Sequence, residues 1–109
     1  MTILQAIQYL EDALGATQEF AALKQARQKL RETPGLEQMV SGFQKKQAKL
    51  YSSNVNPAHA EQMMGEINRD YEYLSAFPEA RDYFGKIEQM NSLLNSIMSQ
   101  AYNSLDSKL

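Results

Sequence analysis

Few residues in this chain are suited to chemistry, and their spacing narrows the choice further. There is one His and no Cys among 109 residues. Disulfides, thiolate zinc sites, iron–sulfur clusters and thiol nucleophiles are therefore excluded. His59 follows Asn56-Pro57 in what reads as the first turn of a helix, with Glu61 and Met63 close in sequence. It lacks the second His or Cys at helical spacing that a zinc or iron site needs, so it is expected to be solvated. Glu66 and Asp70 stand four residues apart, as do Glu79 and Tyr83. A helical di-metal centre would require Glu-x-x-His motifs on facing helices, and none occurs. These carboxylates are expected to pair along helix surfaces with Arg69, Arg81 and Lys86. No nucleophile and base lie together, so the chain is expected not to be an enzyme, and no catalytic, cofactor or metal residue is assigned.

Basic residues offer a second possibility. Lys45, Lys46 and Lys49 cluster on one predicted helix, and Arg27, Lys29 and Arg31 on another. Lys45, Lys46 and Lys49, with Tyr51 nearby, could contact RNA phosphates. The net charge of -2 and the lack of interleaved aromatics argue against it, leaving nucleic acid as the alternative reading.

The elements that carry these residues read as helices throughout. Hydrophobic residues make up 43%, charged residues 22%, and mean hydropathy is -0.52, which suits one soluble domain over residues 1–109. No apolar run is long enough to span a membrane, and no signal peptide is expected. Pro34, Pro57, Pro78 and the Gly15-Ala16-Thr17 break divide the chain into segments 3–14, 17–32, 34–53, 57–76 and 78–106. Thr33-Pro34 and Asn56-Pro57 read as an N-cap followed by the first helical residue, and Gly15 as a left-handed C-cap.

The first segment carries Ile3, Ala6, Ile7, Leu10 and Leu14 on one face, and the second Phe20, Leu23, Ala26 and Leu30 with Arg27 beside them. Three longer stripes step by four and three: Leu36, Val40, Phe43, Gln47, Leu50; Ala60, Met64, Ile67, Tyr71, Leu74; and Ala80, Phe84, Ile87, Asn91, Leu94, Met98, Ala101, Leu105. The third and fourth segments are joined by the short run 52–56 and should form an antiparallel hairpin. Folding about residue 55 places Leu36 by Leu74, Phe43 by Ile67 and Leu50 by Ala60. Its expected core is Leu36, Val40, Phe43, Leu50, Met64, Ile67, Tyr71 and Leu74. Gly42, Gly65 and Gly85 interrupt helices and suggest close helix approach. The expected fold is all-α, an elongated bundle of about five helices built around that hairpin and a long last helix.

The pattern Ala6, Leu10-Glu11, Ala13-Leu14, Glu19-Phe20, Leu23-Lys24 resembles the YlbF/YmcA family of small bacterial helical proteins. Phe43, Gln47 and Leu50, then Glu88-Gln89-Met90, Leu93-Leu94 and Ile97, extend the likeness. The cysteine-free YheA-like branch is the nearest in pattern. The resemblance implies an all-helical, self-associating cytoplasmic protein. Relatives are linked to competence, sporulation, biofilm control and RNase Y-dependent mRNA processing. Some carry cysteines that ligate iron–sulfur clusters; this sequence has none, so no cofactor is implied.

The last segment, as one helix, is about 43 Å long, while a compact domain of this size spans roughly 34 Å. Its stripe stays apolar beyond any compact body. A homodimer, or a tetramer, is therefore expected, with Leu94, Ile97, Met98 and Leu105 at the self-interface. The expected function is a protein–protein interaction module, binding itself and another protein, with no membrane contact.

Overall fold

A computed structural model describes residues 1–52 and 56–109. It contains five helices: α1 (Ile3–Gly15), α2 (Gln18–Glu32), α3 (Leu36–Tyr51), α4 (Pro57–Ser75) and α5 (Pro78–Asp106). No strand occurs among the described residues. The turn expected between α3 and α4 falls partly on residues 53–55, outside the described residues.

Caps set most boundaries. Thr2 and Gln5 form a capping box that starts α1, with the Thr2 hydroxyl accepting from the Gln5 amide at 3.1 Å and the Gln5 side chain accepting from the Thr2 amide at 2.8 Å. Thr17 caps α2, and the Asn56 side chain accepts the His59 amide at 2.9 Å ahead of Pro57. Two expected boundaries differ. Thr33-Pro34 does not start α3. The chain instead makes a type II turn, Leu36 donating to the Thr33 carbonyl at 3.1 Å, with Gly35 at φ 78 and ψ -12 as the helix's N-cap. Proline fits the second turn position, and the third needs a positive φ that glycine reaches without strain. Gly15 is no left-handed cap; Ala16 caps α1 at φ -94, and Gly35 is the one described residue with positive φ.

The helices form two antiparallel pairs that meet at one end. α2 lies along the first half of α5, the most extensive helix contact, and α3 lies along α4. The core sits where the pairs converge: Ala26 and Leu30 from α2, Leu36, Val40 and Phe43 from α3, Ile67 and Leu74 from α4, Ala80 and Tyr83 from α5. Phe43, Tyr71 and Phe84 stack at centroid distances of 5.4–6.1 Å and join the pairs. The result is elongated and flat, 46 × 37 × 20 Å, with a radius of gyration of 17.2 Å against about 13 Å for a compact domain of this length. A thickness of 20 Å admits two helices at most.

The structure corrects several assignments in the hairpin. Leu36, Val40, Phe43, Ile67 and Leu74 are buried and Leu50 is half-buried. Met64 is not in the core: it is 53% exposed, and Met63 is buried instead. The apolar face of α4 runs through Ala60, Met63 and Ile67, because a step of three from Ala60 turns toward α3 where a step of four turns to solvent. Tyr71 is 45% exposed, its ring lying over Phe43 and Phe84 at the rim of the core. Lys46 bonds Asp70 at 2.7 Å and Phe43 stacks on Tyr71, about one helical turn further along α4 than a fold about residue 55 predicts. Phe84 of α5 meets both Phe43 and Tyr71 at that register. The three mid-helix glycines do not mark close approach either. A Cβ placed at Gly42, Gly65 or Gly85 would meet nothing within 4 Å.

Candidate interaction surface

Two apolar strips remain uncovered in the protomer. The first is α1. A capping box pre-forms this helix, yet it buries no residue: Ile3 is 82% exposed, Ile7 45% and Leu10 37%. The second is the outer half of α5, which continues past the end of α2. Leu94 and Ile97 there are half-buried, while Met98 and Leu105 are 67% and 65% exposed. Tyr102 and Ala101 beside them are exposed too. Of the four residues expected at a self-interface, Met98 and Leu105 thus lie open on the outer part of α5, and Leu94 and Ile97 lie partly covered at its inner edge. The apolar stripe of α1 was visible in the sequence, but its exposure was not, since an amphipathic helix is ordinarily expected to cover the core of its own chain.

The joint between α1 and α2 is built, not loose. The Thr17 hydroxyl donates to the Leu14 carbonyl at 2.6 Å and accepts from the Phe20 amide at 3.2 Å. One side chain therefore ties the last turn of α1 to the first turn of α2 and fixes the corner between them.

Both basic groups are partly paired within the fold. Glu37 of α3 accepts from Arg31 at 2.8 Å and from Arg27 at 3.4 Å. Arg27 also donates to the Tyr83 hydroxyl at 2.8 Å, which ties α2 to α5. That hydrogen bond, aided by Glu37, holds the guanidinium above its ordinary value despite partial burial. Position 27, beside the apolar stripe of α2, was the sequence signal for this bridge, but Tyr83 and Glu37 lie far enough away in sequence that only the fold reveals it. In the other basic group, Lys46 bonds Asp70, and that bond raises the ammonium above its usual range. Lys45 and Lys49 remain exposed. The patch Lys45, Lys46, Lys49 therefore carries a neutralising carboxylate at its centre.

Beside this ion pair, α3 and α4 bound an open cleft of about 320 Å³ lined by Met39, Gly42, Phe43 and Tyr73 among others. His59 is exposed, and its backbone amide is engaged by Asn56. No group of three His, Asp or Glu side chains that could hold a metal occurs among the described residues. No helix among them is long and apolar enough to cross a membrane. Gln47 is half-buried on its stripe, and Asn91 is exposed.

Comparison with known proteins places this architecture. The profile described as control of competence regulator ComK, YlbF/YmcA, matches residues 3–106. Among curated proteins, the UPF0342 protein STH1710 of Symbiobacterium thermophilum is 29% identical over 89 residues, covering 81% of this chain and 80% of the relative. No solved structure gives a significant match. The match takes in all five helices, from the start of the exposed α1 to the end of α5, and on that extent the chain belongs to the YlbF/YmcA family.

Proposed function

We propose that this protein is a non-enzymatic interaction module of the cytoplasm, a small regulator or adaptor that works as a homodimer. One observation carries the reading. The protomer exposes 8314 Å², about 2,200 Å² more than the roughly 6,100 Å² expected of a compact monomer of its mass. Much of the apolar share lies on α1 and the outer half of α5. A surplus of this size per chain matches what obligate dimers bury. Family membership supports a regulatory role, exercised by binding another protein, in the manner of relatives connected with competence and mRNA processing. The absence of Cys favours the YheA-like branch within the family.

Light scattering behind a sizing column tests the reading. The expected mass at micromolar concentration is about twice 12.4 kDa, or four times if dimers pair. A mass of 12.4 kDa would overturn it. The double substitution Ile97→Glu, Met98→Glu should give monomer, because two carboxylates would have to enter a desolvated strip. An RNA-binding reading through Lys45, Lys46 and Lys49 has less support, since Lys46 is paired with Asp70. A salt-dependent mobility shift with single-stranded RNA at physiological salt would favour it instead.

A further inference from the structure

The two uncovered strips fit each other residue by residue. On the apolar face of α1, Ile3, Ile7, Leu10 and Leu14 follow one another in steps of four, three and four. Read backwards along α5, Leu105, Ala101, Met98 and Leu94 repeat the same steps. An antiparallel pairing therefore sets Ile3 against Leu105, Ile7 against Ala101, Leu10 against Met98 and Leu14 against Leu94, with Ala6 and Ile97 flanking these pairs. The lengths agree as well: α1 has 13 residues, and the stretch from Leu94 to Asp106 has the same number.

Within one protomer most of this pairing is not made. α1 packs on α2 and has no buried residue, Leu14 and Leu94 are only half-buried, and α5 beyond Ile97 is exposed throughout. To reach its own α5, α1 would have to continue straight from α2. Thr17, extended at ψ 157 and hydrogen-bonded to both helices, fixes a corner there instead.

We propose that α1 of one copy lies along the outer half of α5 of a second copy, and the reverse, in a two-fold arm-exchanged dimer. The assignment rests on the self-association argued above and names the element that closes it. A second copy is the occupant because it brings the missing partner for both strips at once: each chain offers one arm and one bare helix half, and two-fold exchange leaves neither uncovered. The surplus of about 2,200 Å² per chain is large enough for both contacts. Since α1 adds nothing to the protomer core, its apolar face can be altered without unfolding the rest.

The chain has no Cys of its own, so engineered pairs report cleanly. The full-length variant Leu10→Cys, Met98→Cys is treated at micromolar concentration with a short bis-maleimide linker and read by denaturing mass measurement. The expected product is a covalent pair at about twice 12.4 kDa, absent from either single variant. An internally bridged chain at monomer mass would mean that α1 folds back on its own α5, and overturns the exchange. Equal linking by Met98→Cys alone would mean an α5–α5 seam; it overturns the exchange while leaving self-association intact. No linked product also overturns the exchange, and light scattering on that sample then tells whether self-association fails with it. A second variant, Ile7→Glu, should keep the helical content of the protomer and shift the light-scattering mass from dimer to monomer. Retention of the dimer by that variant removes α1 from the interface.

Discussion

Replacing Phe43 with Ala strikes the point where the two helical pairs are joined. The side chain is 4% exposed and belongs to the buried cluster shared by α2, α3, α4 and α5. Its ring also lies 6.1 Å from Tyr71 and 5.5 Å from Phe84. Truncation removes roughly 100 Å² of buried apolar surface, about 2.5 kcal/mol at 25 cal/mol/Å². Two aromatic contacts add about 0.5–1.5 kcal/mol each, and a cavity remains because three flanking helices cannot all collapse into it. The expected cost is about 3–5 kcal/mol, within the range for buried aromatic truncations. For a chain of this length, unfolding entropy near 2.1 cal/mol/K per residue converts that cost to a fall in Tm of about 13–22 °C. Thermal denaturation followed by circular dichroism would measure it, with wild type and variant at equal protein concentration, since association shifts Tm by mass action. A fall of 3 °C or less would refute the reasoning: the junction would then not depend on the Phe43–Tyr71–Phe84 stack. Tyr71→Ala, at 45% exposure, should cost less than half as much.

Other substitutions test narrower points. Ala at Gly42, Gly65 or Gly85 should each stabilise by about 0.5–1 kcal/mol, since a Cβ there meets nothing within 4 Å and helix propensity favours Ala. Ala at Gly35 should destabilise by about 1–2 kcal/mol, because φ 78 strains any residue with a Cβ; denaturant midpoints would separate the two groups. Asn56→Ala should cost about 1 kcal/mol in the same assay through loss of the α4 cap to His59. His59→Ala should leave stability and light-scattering mass unchanged, since Asn56 engages the backbone amide of His59. Tyr83→Phe should cost about 1 kcal/mol by chemical denaturation, as Arg27 loses one hydrogen bond but keeps Glu37 and access to water.

The sequence by itself determined what depends on near neighbours along the chain. Five helices, the capping by Thr17 and Asn56, and prolines opening α4 and α5 follow from backbone donors that must be satisfied within three or four residues. The apolar stripe of α3 was legible for the same reason, as was the excess length of α5, which is a count of residues times a fixed rise. The likeness to the family rests on the order of such local patterns along the chain. The tertiary structure decided wherever two local solutions were nearly equal. Met63 and Met64 are chemically identical, and only the direction of α3 makes the first a core residue and the second a surface one. At the junction of α3 and α4, Phe43 and Tyr71 both meet Phe84 of a third helix, which no reading of the hairpin alone contains. Arg27 looked like surface charge until α5 brought Tyr83 beneath it. The bareness of α1 likewise came from the fold: an amphipathic helix pattern says that a face must be buried but not against what, and a corner fixed by Thr17 turned that face away from its own chain.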